Sequence, residues 1–137
     1  MIELQDFRAA RRAISSHMRL TPVFKADNFV SKSVFDKPDR LPEMFLKLEN
    51  MQVTGSFKAR GAMNAALALD EDKRANGLCT ASGGNHGMGV IYAARILGVP
   101  VKIFLPTNTP KPKVEKLRAQ GVDVALTGAV WDDFFFF

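Results

Sequence analysis

Residues 78–126 read LCTASGGNHGMGVIYAARILGVPVKIFLPTNTPKPKVEKLRAQGVDVAL, and the pattern of this stretch decides the fold. Short apolar runs alternate with longer segments whose apolar residues recur at helical spacing. Strands that alternate with helices of this length form βαβ units, so we predict an α/β protein: a parallel sheet with flanking helices. The predicted strands are Leu78–Ala81, Val101–Leu105 and Val122–Leu126.

Glycine and proline mark the ends of the two helices between these strands. The first helix is predicted over Asn85–Leu97 and is closed by Gly98. The second is predicted to begin at Pro110 with Thr109 as its cap, because proline has no amide hydrogen to lose at a first helical position. Ligands of parallel sheets bind at the carboxyl ends of the strands, so the loops before these helices are the first places to look for chemistry.

Three further elements are predicted upstream of this stretch. Apolar residues at helical spacing predict a first helix, and a short apolar run predicts a strand. A second helix is expected to be capped by Ser56, a good capping residue. In chain order these elements are Glu3–Ser16, Met44–Leu48 and Ser56–Leu69.

Composition excludes several classes of protein. The 137 residues suit one domain, and a hydrophobic fraction of 47% argues against disorder. The single cysteine, Cys79, forms no internal disulfide and is predicted to be a small buried hydrophobe. No apolar stretch approaches the roughly 20 residues that span a bilayer, and the start of the chain does not resemble a leader, so we expect no membrane partner and a cytoplasmic location.

The net charge of +5 does not indicate nucleic-acid binding. The basic clusters lie on predicted helices, have acids nearby and are not interleaved with aromatic residues that could stack on bases. Solvated helix faces are the better interpretation, and we expect no nucleic-acid partner. The clusters are Arg8, Arg11 and Arg12, then Lys111, Lys113, Lys116 and Arg118.

The segment Thr54–Gly61, TGSFKARG, is the first candidate site. It places Lys58 in the first turn of a predicted helix, beside exposed amides with partial positive charge, and Arg60 adds a like charge. Both effects favour a neutral, nucleophilic amine suited to Schiff-base chemistry. Taken alone, an ordinary solvated lysine remains the simpler interpretation.

The segment Thr80–Gly87, TASGGNHG, is the second candidate site and lies between a strand and a helix. Its glycines allow a tight turn that aims several N–H groups at one point, and the helix end adds partial positive charge. Such a loop can hold a carboxylate or a phosphate. A tight turn with glycines that serve only packing is an equally good interpretation.

Other familiar sites are excluded. The glycines do not follow the dinucleotide pattern, no acid follows about 20 residues later, and the P-loop pattern is absent. His17 and His86 have no cysteine or acid at ligand spacing, so no metal site is expected. Asp132 and Asp133 are adjacent and would diverge, which argues against paired acid–base work.

Taken together, the two candidate segments closely resemble the fold-type II pyridoxal-phosphate enzymes, in the threonine/serine dehydratase (ammonia-lyase) branch. The resemblance covers nearly the whole chain up to Asp133, and two separate motifs occur in the right order and spacing. It implies a tryptophan synthase β-like fold. The matching segments include Thr21-Pro22, Lys47–Asn50, Gly55–Ala62, Ala81–Gly87, Lys113–Arg118 and Gly128–Asp132.

The resemblance assigns a role to each matching site residue. Lys58 would hold the cofactor pyridoxal 5'-phosphate and act as the base at the substrate Cα, and Phe57 would lie beside the cofactor. Asn85 would hydrogen-bond the ring hydroxyl. A loop would hold the substrate carboxylate, formed by Ser82, Gly83, Gly84, Asn85 and His86.

The implied activity is dehydration and deamination of a hydroxy amino acid such as L-threonine or L-serine, giving a 2-oxo acid and ammonia, in a family expected to form homo-oligomers. Gly83 occupies the place where eukaryotic-type serine racemases carry a serine, which disfavours racemisation. His86 is similar to the dehydratases, because cysteine synthases typically carry threonine there.

Family members are considerably longer, and their glycine-rich cradle for the cofactor phosphate lies further along the chain. The sequence is therefore expected to be a truncated N-terminal fragment with weak cofactor binding and little activity; an inactive or complementing module is the alternative. The expected parts are residues 1–50 from the large domain, a small α/β domain at 51–133 with the Schiff-base lysine and the carboxylate loop, and a non-family phenylalanine tail at 134–137.

Overall fold

A computed structural model of the chain describes residues 1–26 and 43–129. The predicted tail at 134–137 lies outside these ranges. Single turns of 3-10 helix occur at Ser15–His17 and Glu49–Met51. The helices are α1 Leu4–Ile14, α2 Lys58–Leu67, α3 Glu71–Ala75, α4 Asn85–Leu97 and α5 Lys111–Arg118. The strands are β1 Val23–Lys25, β2 Phe45–Lys47, β3 Leu78–Thr80, β4 Val101–Leu105 and β5 Asp123–Leu126.

The three predicted strands form one parallel sheet in the order β3-β4-β5. Successive crossovers in the same direction place α4 and α5 on the same side of the sheet, because such crossovers are right-handed. Apolar side chains from both helices and from β4 and β5 accordingly form one buried cluster, and the α/β prediction is confirmed. The cluster comprises Ile91, Ile103, Leu105, Val114, Leu117, Val122 and Val124.

The opposite side of the sheet carries exposed residues around the half-buried Phe104. Cys79, Lys102 and Asp123 are paired in register across the three strands and are exposed. The Lys102 ammonium lies 3.1 Å from a carboxylate oxygen of Asp123. The prediction that Cys79 is buried is therefore wrong: alternate residues of a strand face opposite sides, and both crossover helices cover the other side.

A second buried cluster joins the start of the chain to the α/β part. Ile14 of α1 packs with Met63 of α2 and Ala93 of α4. The Tyr92 hydroxyl on α4 donates a hydrogen bond of 2.7 Å to the carbonyl oxygen of His17. The helix α1 thus lies against the same pair of helices that carries the two candidate segments.

Two predicted helix caps are wrong. The helix α2 begins at Lys58 and α5 at Lys111, and neither receives a side-chain cap. Residue Ser56 lies one position outside the cap of α2, because Phe57 already has helical dihedral angles. The Thr109 amide is used in a turn, where it donates to the carbonyl of Pro106 at 3.0 Å, so α5 starts one residue later than predicted.

Three elements were not predicted: the 3-10 turn at Glu49–Met51, one strand and one short helix. The strand β1 pairs with β2 in an antiparallel ribbon, in which Val23 lies opposite Lys47. The helix α3 is a single short element between α2 and β3. Within the described ranges, no helix combines the length and the apolar character needed to cross a bilayer.

Candidate active site

The amine of Lys58 is open to solvent at the first residue of α2. Its Nζ atom lies 5.2 Å from the centroid of the Phe57 ring, and 60% of Phe57 is exposed. The ring and the amine thus form one accessible feature at the start of the helix.

A glycine on α4 brings the start of α2, which carries Phe57 and Lys58, close to the second candidate segment. A Cβ atom on Gly89, which is buried, would lie 2.9 Å from the carbonyl oxygen of Lys58. Only a residue without a side chain lets the two backbones approach so closely. Asn85 lies one helical turn before Gly89, at the first residue of α4. The start of α2 therefore lies beside the start of α4.

The loop before α4 folds back tightly on the helix. A Cβ atom on Gly87 would lie 1.7 Å from the carbonyl oxygen of Ser82, so the glycine is required for this turn. The backbone N–H of Gly84 donates to Ser82 Oγ at 3.4 Å. Ser82 and Gly83 are half-buried, whereas Gly84, Asn85 and His86 are exposed. Packing explains Gly87, and the exposed part of the loop stays available to a ligand.

Positive charge surrounds this loop. A shallow pocket is bounded by Gly83 and Asn85 on one side and by Lys113 and Lys116 of α5 on the other. The first amides of α4 add partial positive charge, because they have no partners within the helix. The arrangement suits a small anion such as a carboxylate.

The guanidinium of Arg60 has an acidic partner that the sequence analysis did not identify. Its Nη2 and Nε atoms donate to the two carboxylate oxygens of Glu49 at 2.7 and 2.8 Å. The hydrogen bond from Arg60, helped by one from Thr21 and opposed by burial, lowers the pKa of Glu49 to about 2. The pKa of Arg60 is raised by the same hydrogen bond. A close carboxylate therefore compensates the guanidinium.

The backbone contact at Gly89 leads to a first prediction. Gly89→Ala is expected to destabilise the chain by about 1–3 kcal/mol, because the new methyl group must push the start of α2 away from α4. Urea unfolding followed by circular dichroism measures the loss. An unchanged midpoint would show that the two helices are not in backbone contact.

The comparison with known families decides the identity of the fold. The sequence model described as "Pyridoxal-phosphate dependent enzyme" matches residues 14–134. The chain belongs to this family. Its members depend on pyridoxal phosphate, so the chain carries the fold of a cofactor-dependent enzyme.

Several relatives in the pyridoxal-phosphate dependent family are similar to this chain over most of its length. The chain is 39% identical over 133 residues to the L-threonine ammonia-lyase of Thermotoga maritima, covering 97% of the chain and 31% of the relative. The T.th. threonine deaminase matches with a TM-score of 0.72 and 38% identity, covering 94% of the chain and 38% of that structure. The serine racemase of Dictyostelium discoideum matches with a TM-score of 0.78 and 32% identity, covering 96% and 40%. The chain thus spans about a third of the length of these relatives.

The described residues fit the family's cofactor. Thr54 Oγ1 and Ser56 Oγ are buried just before Lys58 and have no hydrogen-bond partner in the described part of the chain. Unpaired buried hydroxyl groups are costly, so polar groups brought by a ligand would relieve them. The open amine and the glycine loop complete a set of donors suited to an anionic aldehyde.

Sequence reasoning missed two features that position this site. Gly89 was not singled out, although a glycine inside a helical pattern, four residues after Asn85, signals a close backbone approach. The pairing of Glu49 with Arg60 was also missed. Both residues lie in the quoted segments, but nothing in their spacing of 11 residues identifies them as partners.

Proposed function

We propose that this chain carries the cofactor lysine and the substrate-carboxylate loop of a pyridoxal-phosphate-dependent ammonia-lyase for hydroxy amino acids such as L-threonine or L-serine. The contact between the Lys58 carbonyl and Gly89 carries the proposal, because it packs the start of α2, which carries the solvent-open amine, against the helix that follows the glycine loop. Residues 1–50 are proposed to belong to a large domain and 51–133 to a small α/β domain. The names of the relatives support the reaction.

Each site residue is assigned a separate task. Lys58 would hold the cofactor through its amine and, once released, would take the proton from the substrate Cα. Phe57, already in contact with this amine, would lie beside the cofactor, and Asn85 would hydrogen-bond the ring hydroxyl. The donors of Ser82–His86 hold the substrate carboxylate, aided by the positive start of α4.

The cofactor supplies, when bound, a conjugated ring that accepts the electron pair left at Cα. The chain's own residues orient the amino acid so that the Cα proton faces Lys58. For L-threonine the overall change is loss of ammonia and formation of 2-oxobutanoate, with no net gain or loss of water.

Racemisation is the second candidate, because a serine racemase is among the structural matches. The residue at position 83 favours the lyase, because a glycine offers no side chain that could act as the second acid or base of a racemase. The space beside Gly83 is occupied by the ends of the Leu105 and Lys113 side chains.

Reductive trapping tests the proposed function. The chain is incubated with excess pyridoxal 5'-phosphate, reduced with borohydride, digested and mapped by mass spectrometry. Most of the label is expected on Lys58, and Lys58→Arg should lose that label alone. The internal reference is Lys73 of α3, an exposed lysine outside both candidate segments and outside the pocket. An even distribution over exposed lysines would contradict the proposal.

Formation of 2-oxobutanoate from L-threonine by the same preparation then separates the two remaining interpretations. Selective labelling of Lys58 without turnover is the result expected of a non-catalytic or complementing module. Turnover that disappears in Lys58→Arg is the result expected of a self-sufficient lyase.

A further inference from the structure

The start of α2 carries Lys58 and has no side-chain cap. The cap position is occupied by Phe57, which makes no side-chain hydrogen bond to the helix, and no acid lies in the first turn. The hydroxyl of Ser56, which could have served as a cap, is buried without a partner in the described part of the chain. Uncapped helix ends fray, so something else must hold this turn.

An ion pair with a residue outside the helix holds the first turn of α2 in place of a side-chain cap. Arg60 lies in the first turn of α2 and binds both oxygens of Glu49, which begins a single 3-10 turn. Only 15% of the Glu49 side chain is exposed. Bidentate pairs between a guanidinium and a carboxylate fix the relative orientation of the two groups as well as their distance. The first turn of the helix is thereby tied to a segment 11 residues earlier.

The partner of Arg60 is itself anchored. The Thr21 hydroxyl donates to Glu49. The Gln52 side chain brackets the backbone of Arg19, accepting from its amide at 2.9 Å and donating to its carbonyl at 3.0 Å. Arg60 Nη2 reaches the same carbonyl at 3.3 Å. Three chain segments are thus joined immediately before the lysine.

We propose that the Glu49–Arg60 pair positions the amine of Lys58 by fixing the first turn of α2 against Gly89. The proposal rests on the proposed function, in which this amine binds the cofactor. Neither Glu49 nor Arg60 is assigned any contact with cofactor or substrate, so they are positioning residues and not catalytic ones.

The trapping experiment tests this role when it is read as the ratio of label on Lys58 to label on Lys73. The ratio is measured for the parent chain, Glu49→Gln and Arg60→Lys, each at a temperature well below the midpoint of its own thermal unfolding. Both variants are expected to lower the ratio about tenfold, since displacements near 1 Å are enough to reduce reactivity strongly. Arg60→Lys keeps the charges of both partners and removes only the bidentate hydrogen bonding to Glu49.

Two controls separate positioning from stability. Asp123→Asn removes the Lys102–Asp123 ion pair on the far side of the sheet. Val124→Ala weakens the buried cluster. Both should leave the ratio unchanged. The proposal would be overturned if the folded Glu49→Gln and Arg60→Lys variants kept the labelling ratio of the parent chain. It would also be overturned if Val124→Ala lowered the labelling ratio as much as these two variants do.

The parent chain distinguishes this failure from failure of the proposed function. If the parent shows no preference for Lys58, the cofactor role itself is refuted, and the positioning role is refuted with it. If the parent prefers Lys58 and the pair variants keep that preference, only the positioning role is refuted.

Discussion

Gly87→Ala is expected to lower the free energy of unfolding by about 3 kcal/mol or more, since overpacking against fixed backbone has no cheap relaxation. The added Cβ would lie 1.7 Å from the carbonyl oxygen of Ser82, so the loop before α4 or the helix itself must move. The higher helix propensity of alanine offsets only about 1 kcal/mol of this loss. Urea unfolding followed by circular dichroism gives the difference directly.

Gly61→Ala is the matched control for this substitution. Gly61 also lies inside a helix, but a Cβ atom there would meet nothing within 4 Å. Alanine should therefore stabilise the chain by about 0.5–1 kcal/mol. If Gly87→Ala behaved like Gly61→Ala, the tight turn between Ser82 and Gly87 would be refuted.

The second large effect is a loss of stability in acid caused by Glu49. The folded chain lowers the pKa of this carboxyl from 4.5 to about 2, because Arg60 donates to it. A carboxyl that binds its proton more weakly in the folded state stabilises the fold above pH 4.5, and this contribution is lost as the pH falls towards 2. The shift corresponds to about 3 kcal/mol at neutral pH.

Urea unfolding of the parent and of Glu49→Gln at neutral pH and at about pH 3.5 measures this contribution. The parent should have a higher free energy of unfolding than Glu49→Gln at neutral pH. This difference should narrow by roughly 1–1.5 kcal/mol at the lower pH, because the unfolded chain then carries a proton on Glu49 while the folded chain, in which the pKa is about 2, still does not. A difference in free energy of unfolding between the two chains that does not change with pH would show that the ion pair does not form. Asp123→Asn provides the comparison for an exposed pair, which contributes about 0–1 kcal/mol.

Local signals in the sequence predicted the elements that frame the site. The bounds of α4 and β4 agree residue for residue with the prediction. Gly98 adopts φ +66° and closes α4, as a glycine at a helix end is expected to do. Apolar periodicity between strong end signals is sufficient for such elements.

Features that depend on distant partners could not be predicted. The pairing of β1 with β2 joins Val23 to Lys47, and no local pattern specifies that register. The exposure of Cys79 depends on which side of the sheet the helices cover, and a strand of three residues has too little alternation to reveal it. The Glu49–Arg60 pair has the same origin, since only the folded chain brings the two residues together.

The exposed thiol of Cys79 has a practical consequence. It is the single cysteine of the chain and lies on the face of β3 that α4 and α5 leave open. A maleimide dye or spin label could be attached there in one step, without mutating any other residue. Because β3 leads directly into the glycine loop, such a reporter would sense ligand binding from the back of the sheet.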